Sequence, residues 1–209
     1  MNRRVHELQQ QAVQTMHTTI EEAGRFLRWA ASALVVGTIV GGLIGLFRMA
    51  VSWAVQMRAA HPAILFALPL AGAAIVWLYH CCGLDTDPGT DHILRSVRAD
   101  PGVHLRMAPL VAVSTVLTHR MGAALQIGGS VSGVLGHWAN MDEKDSHIIT
   151  MCGMAAGFSA LFGTPLAAAV FAMEVVSVGE MYYAAFFPCL FSAFSAFLVT
   201  GAMGLSADA

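Results

Sequence analysis

Long apolar runs, joined by short polar stretches or by Gly and Pro, set the pattern of this chain. A spanning helix needs about 20 mostly apolar residues, because bilayer hydrocarbon is roughly 30 Å thick. The first run goes from Trp29 to about Phe47 and continues past Arg48 to Val55. Arg48 interrupts a straight span, which predicts a tilted helix with Arg48 snorkelling towards the headgroups. Pro62 opens a second run, Ala63 to Tyr79, and a third covers Ala108 to Leu117. Met121 to Trp138, Ile148 to Phe162, Pro165 to Val178 and Ala184 to Met203 complete the set. Upstream, Val5, Leu8, Val13, Met16, Ile20 and Phe26 recur at about helical spacing among polar residues. That segment reads either as a membrane-surface helix leading into the first span or as a frayed polar terminus. The pattern predicts an all-α, polytopic membrane fold with some six or seven helices, several of them short or re-entrant. Its parts are an amphipathic N-terminal segment (1–28), a helical domain (29–204) and a tail (205–209).

The later runs differ from the first. Met121 to Trp138 is rich in Gly and Ser, and Gly163-Thr164-Pro165 separates two apolar segments with no hydrophilic loop. Thr164 suits an N-cap and Pro165 the first helical position. Unpaired backbone groups cannot face lipid, so such a break is buried in protein or lines a wet cavity. It marks either a transport site of the broken-helix kind or a tight hairpin between ordinary helices. Gly37, Gly41 and Gly45 repeat at four-residue spacing, as do Gly129 and Gly133, the signature of closely packed membrane helices.

Composition narrows the class. Of 209 residues, 56% are hydrophobic and 11% charged, against about 25% charged in a typical soluble domain. The formal net charge of −2 speaks against a nucleic-acid partner. Arg3, Arg4, Arg25 and Arg28 precede the first span, and Arg95, Arg98 and Arg106 precede the third run. The positive-inside rule places both segments, and hence the N-terminus, in the cytoplasm, with the chain in the cell (inner) membrane. The polar residues Glu7, Gln9, Gln10 and Gln11 after the leading arginines do not resemble a signal peptide. Cys81, Cys82, Cys152 and Cys189 lie mostly in apolar runs and read as small buried hydrophobes. The nine histidines never pair at i, i+4 and form no carboxylate cluster, so no metal or other cofactor is expected. No G-x-S-x-G elbow is present, and no enzymatic chemistry is expected.

Three segments suit an anion. Gly89-Thr90 is a turn before a short apolar stretch, Arg120-Met121-Gly122 opens the Gly-rich run, and Gly163-Thr164-Pro165 opens another. A helix start presents unpaired N–H groups and roughly half a positive charge, enough to hold a monovalent anion loosely.

The stretch Gln126-Ile127-Gly128-Gly129-Ser130, followed by the run from Met151 through Gly157, Phe162, Pro165 and Phe171 to Glu174, resembles the chloride-channel (CLC) family. In that family G-[KR]-E-G-P-x-x-Q-x-G leads into a helix, and G-x-A-A-G-x-x-A-x-F-x-x-P-L-x-G/A-x-x-F-x-x-E forms two packed helices. The resemblance covers about Arg28 to Gly204, the extent of the first of the family's two inverted repeats. It implies passage of a small inorganic anion such as chloride along a path built from both halves, in a protein that pairs into dimers. The chain is accordingly expected to be an N-terminal half, acting as a homodimer or with a separate second-half chain.

Motif by motif, Pro88, Gly89 and Thr90 match the start of the family's G-S-G-I-P filter, with Thr90 for its serine, while Asp91 and His92 depart from it. Arg120, Met121 and Gly122 align with R-E-G, which places Met121 at the gating glutamate. Glu174 matches the first of two adjacent family glutamates and is either a structural hydrogen-bonding residue or a functional intramembrane carboxylate. Val175 stands where coupled exchangers keep a proton-relaying glutamate. Neither methionine nor valine carries protons, so the resemblance implies channel-like anion flow without proton coupling. The alternative is a non-conducting half that needs its complement or has lost transport.

Overall fold

A computed structural model describes residues 2–60, 68–81, 123–176 and 182–205, with residues 2–23 described by backbone alone. The described residues are helical throughout, apart from turns. In chain order they form α1 (Asn2–Ala60), α2 (Leu68–Cys81), α3 (Ala123–Trp138), α4 (Glu143–Phe162), α5 (Pro165–Val176) and α6 (Phe186–Ala202), the last preceded by a 3-10 turn at Tyr183–Ala185. The apolar part of α1, Gly24–Ala60, is 37 residues long. At 1.5 Å per residue it extends about 55 Å, so it crosses a bilayer at a tilt or projects beyond it. The helix passes residue 28 without a break, so no turn separates the N-terminal segment from the span. The third expected run, Ala108 to Leu117, lies outside the described residues.

The core forms around α4, which packs against α3, α6, α1 and α5. Its side chains from Ile148 to Leu161 are almost all buried, including Ile149, Cys152 and Met154. Lipid tails are as apolar as leucine, so membrane helices are held by close packing and hydrogen bonds rather than by escape from water. Small residues supply that packing. A Cβ on Gly41 would stand 2.7 Å from the Ala196 Cα, and Gly37 and Gly45 meet α6 and the turn after it in the same way. The close approach of α3 to α4 is made by Gly128 facing Gly153 and by Gly157 facing the Ala124 carbonyl. Serine hydroxyls bridge the same seams: Ser159 donates to the Ala193 carbonyl (2.7 Å), Ser192 to Cys152 (3.0 Å) and Ser195 to Leu34 (3.1 Å). Interhelical bonds of this kind average about 0.6 kcal/mol, so the three contribute about 2 kcal/mol.

Three expectations need correction. Arg48 does not reach for the headgroups: its Nη1 donates to the carbonyls of Ala160 (3.2 Å) and Leu205 (2.8 Å). The Ala160 carbonyl lies in the last turn of α4, where orphan acceptors and partial negative charge favour a cation, and Leu205 lies just past the turn after α6. Helix α4 begins at Glu143, five residues before the apolar run, because Glu143 and Asp145 in its first turn stabilise the helix start. Cys81 is exposed, whereas Cys152 and Cys189 are buried with their sulfurs 4.0 Å apart; Cys82 lies outside the described residues.

Candidate functional site

Two helix starts lie at the C-terminal end of α4. Helix α3 runs antiparallel to α4, since Ala124 faces Gly157, Gly128 faces Gly153, and Gly136 faces Ser146 and Ile149. The beginning of α3 therefore lies beside Gly157, about 8 Å along the axis from the end of α4 at Phe162. There the chain reverses. Gly163 adopts φ 69°, a left-handed conformation open to glycine, and its N–H closes α4 on the Ser159 carbonyl at 2.8 Å. Helix α5 follows at once from Pro165, with the Thr164 carbonyl accepting from the Ala168 N–H at 2.9 Å. Thr164 and Pro165 thus occupy the cap and first helical positions that their chemistry predicts.

Neither α3 nor α5 carries an acidic residue in its first turn, in contrast to α4. The partial positive charge of these two starts is uncompensated by their own side chains. Two buried polar groups share one face of α3, a single turn apart. Gln126 is 5% exposed and Ser130 fully buried, and neither Gln126 Nε2 nor Ser130 Oγ has a hydrogen-bond partner among the described residues. An orphaned buried donor costs about 1–3 kcal/mol, so groups like these are ordinarily met by water or a ligand. Chemically, the arrangement offers N–H and O–H donors, with Arg48 bonded to α4 at the same end, and suits a small anion.

Thr164 and Pro165 lie at the start of α5, at the same end of α4 as the beginning of α3, whereas Gly89, Thr90, Arg120, Met121 and Gly122 lie outside the described residues. Glu174 is exposed and hydrogen-bonds to no described residue, so it does not tie α5 to this bundle; Val175 beside it is half-buried. Sequence reasoning named Arg48 and Ser130 but gave neither a role at this site. A charge in the middle of an apolar run signals a buried partner, and a polar i, i+4 pair within the Gly-rich run signals a polar face.

Residues 71–207 match the voltage gated chloride channel family. A chloride/fluoride channel protein of Pseudomonas syringae pv. tomato is 38% identical over 187 residues, which cover 85% of this chain and 41% of that protein. Among solved structures, a CLC-type fluoride/proton antiporter is similar with a TM-score of 0.81 at 30% identity, covering 87% of this chain and 48% of the other. A slow cyanobacterial Cl−/H+ antiporter gives a TM-score of 0.67 at 23% identity, over 83% and 46% of the two chains, a likeness of fold alone. The chain spans less than half the length of these relatives. By the extent of the family match, and with the all-helical fold of its structural neighbours, the chain belongs to the voltage-gated chloride channel family.

Proposed function

We propose that this chain forms one half of a path for a small inorganic anion, chloride or fluoride, across the cell membrane, with its N-terminus in the cytoplasm. The observation that carries the reading is that α3 and α5 both start at one end of α4, without acidic compensation in their own first turns and with unpartnered donors on Gln126 and Ser130 of α3. Helix starts bind anions through N–H groups and partial charge, which allows both capture and release. The names of the relatives, chloride/fluoride channel and fluoride/proton antiporter, supply the ion class. Gly89, Thr90, Arg120, Met121 and Gly122 complete the path in this reading, by resemblance to the filter and gating motifs. Passage is channel-like, because Met121 and Val175 replace the two glutamates that would relay protons. One structural neighbour is a fluoride/proton antiporter, which makes proton coupling the point of contention.

A second reading is favoured by Glu174. A carboxylate on an apolar helix seeks water or a partner, and Glu174 is exposed, as are the apolar Leu166 on the same helix and Phe194 on α6. This surface suits a complementary chain, either a second half or a second copy, without which no ion passes. The test is anion efflux from chloride- or fluoride-loaded liposomes holding this chain, compared with empty vesicles. Rapid, selective efflux supports the first reading. Folded, helical protein that leaves the vesicles tight supports the second.

A further inference from the structure

Two cavities meet where α1 passes the turn joining α3 to α4. One, of about 490 Å³, is lined by Arg25, Arg28 and Trp29 of α1, by Asn140 of the turn, and by Asp142 and Asp145 at the start of α4. The other, of about 480 Å³, shares Ser32, Ala139 and Met141 with the first and continues between Val35, Val36, Leu135 and Ile149. The composite has a charged mouth carrying both signs and an apolar extension leading from it.

The acidic residues at the start of α4 have an ordinary explanation, since carboxylates stabilise a helix start. It does not cover the whole arrangement. Asp142 holds the N-cap position in extended conformation (φ −61°, ψ 159°), yet its carboxylate makes no capping hydrogen bond. Nor does any ion pair within 4.0 Å join Arg25 or Arg28 to Asp142 or Asp145, although all four line one cavity. Opposite charges are thus held across a space instead of closing on each other. Arg25, Arg28 and Trp29 sit at the start of the apolar part of α1, and basic and aromatic residues there suit the boundary between a bilayer's polar interface and its hydrocarbon.

We propose that the composite cavity binds a phospholipid with a primary-ammonium headgroup, its phosphate on Arg25 and Arg28, its ammonium on Asp142 and Asp145, and an acyl chain in the apolar extension. Arginine forks match phosphate oxygens in bidentate fashion, and an ammonium offers three N–H donors to carboxylates. A choline headgroup keeps the charge but has no N–H donor, and a glycerol headgroup has no cation. The site therefore selects phosphatidylethanolamine over phosphatidylcholine and phosphatidylglycerol. The inference rests on the chain being embedded in a membrane and not on anion passage, and lipid retention is read without any flux.

The full chain, purified in non-ionic detergent, is incubated with equal amounts of the three lipids bearing identical acyl chains, and bound lipid is counted by native mass spectrometry. Phosphatidylethanolamine is retained with roughly five-fold preference, the scale of a partly exposed charge pair. The D142N/D145N double variant still holds lipid but loses the preference for ethanolamine over choline. R25Q/R28Q loses all three lipids, and Val35→Trp, at an exposed position lining the apolar extension, lowers retention of each. Circular dichroism checks that every variant keeps its helices. Equal retention of the three lipids by the unaltered chain overturns the proposal, as does an ethanolamine preference that survives D142N/D145N. A co-purifying polypeptide in place of lipid in the same spectra overturns it as well.

Discussion

Arg48 ties together parts of the chain that are far apart in sequence. Its guanidinium joins the end of α4, at Ala160, to the segment just past α6, at Leu205, from the middle of the apolar α1. A hydrogen bond to a charged group contributes about 1.5–3 kcal/mol, and its loss leaves buried carbonyls without a partner. Arg48→Leu is therefore expected to destabilise the folded chain by about 2–4 kcal/mol, measured as the shift in detergent-solubilised unfolding. Lysine at the same position retains the charge but lacks the planar fork, so it restores part of the loss. Gln126 makes the opposite case. Its Nε2 is buried without a partner, so Gln126→Leu, similar in shape, leaves stability unchanged or raises it. If that amide serves the anion path, the same substitution slows anion efflux at least several-fold, so stability and function part company.

The helices were legible in the sequence to the extent that their burial follows from apolar runs and their joints from Gly and Pro. The break at Gly163-Thr164-Pro165, a first span running on past Arg48 and the packing role of Gly37, Gly41 and Gly45 could all be read from spacing alone, but not the unbroken continuation of α1 back to Asn2. The start of α4 could not, because a charged first turn looks like a loop to any reading based on hydropathy. The α3–α4 seam was not legible either. The spacing of Gly129 and Gly133 names no partner helix, and the seam with α4 is made by Gly128 against Gly153, since the face α3 turns to α4 depends on that partner. For the same reason the unpartnered state of Gln126 and Ser130 was invisible, being a property of what surrounds a side chain. The seam gives a sharp comparison. A Cβ on Gly153 would run into Ser132 and the Gly128 carbonyl, whereas one on Gly42 meets nothing within 4 Å. Gly153→Ala is expected to cost about 1–3 kcal/mol, as overpacking does. Gly42→Ala, in an open part of a helix, is neutral or stabilising, because alanine is the better helix former. Thermal unfolding of the two variants in the same detergent checks the pair, and equal losses contradict the packing account.

For the molecule as a whole, the family is established and its extent in this chain is that of less than half a relative. A bundle centred on α4 presents two uncompensated helix starts at one end, a mixed-charge cavity beside the first turn of α4, and an exposed carboxylate on α5. The proposal of passive passage then depends on what stands at residue 121. A carboxylate there competes with an anion for the start of α3. Met121→Glu is accordingly expected to slow efflux at neutral pH, where the side chain is charged. Flux recovers as pH falls through the ordinary glutamate range near about 4.3, where protonation removes the competing charge. An unchanged rate over that range removes Met121 from the path.

The central claim, anion passage without proton coupling, is tested most directly by recording chloride and pH together outside chloride-loaded liposomes that hold the chain. The account predicts that chloride leaves down its gradient while the external pH stays flat, and that an imposed pH gradient drives no uphill uptake. Proton movement in fixed ratio to chloride, or uphill chloride accumulation driven by the pH gradient, contradicts it.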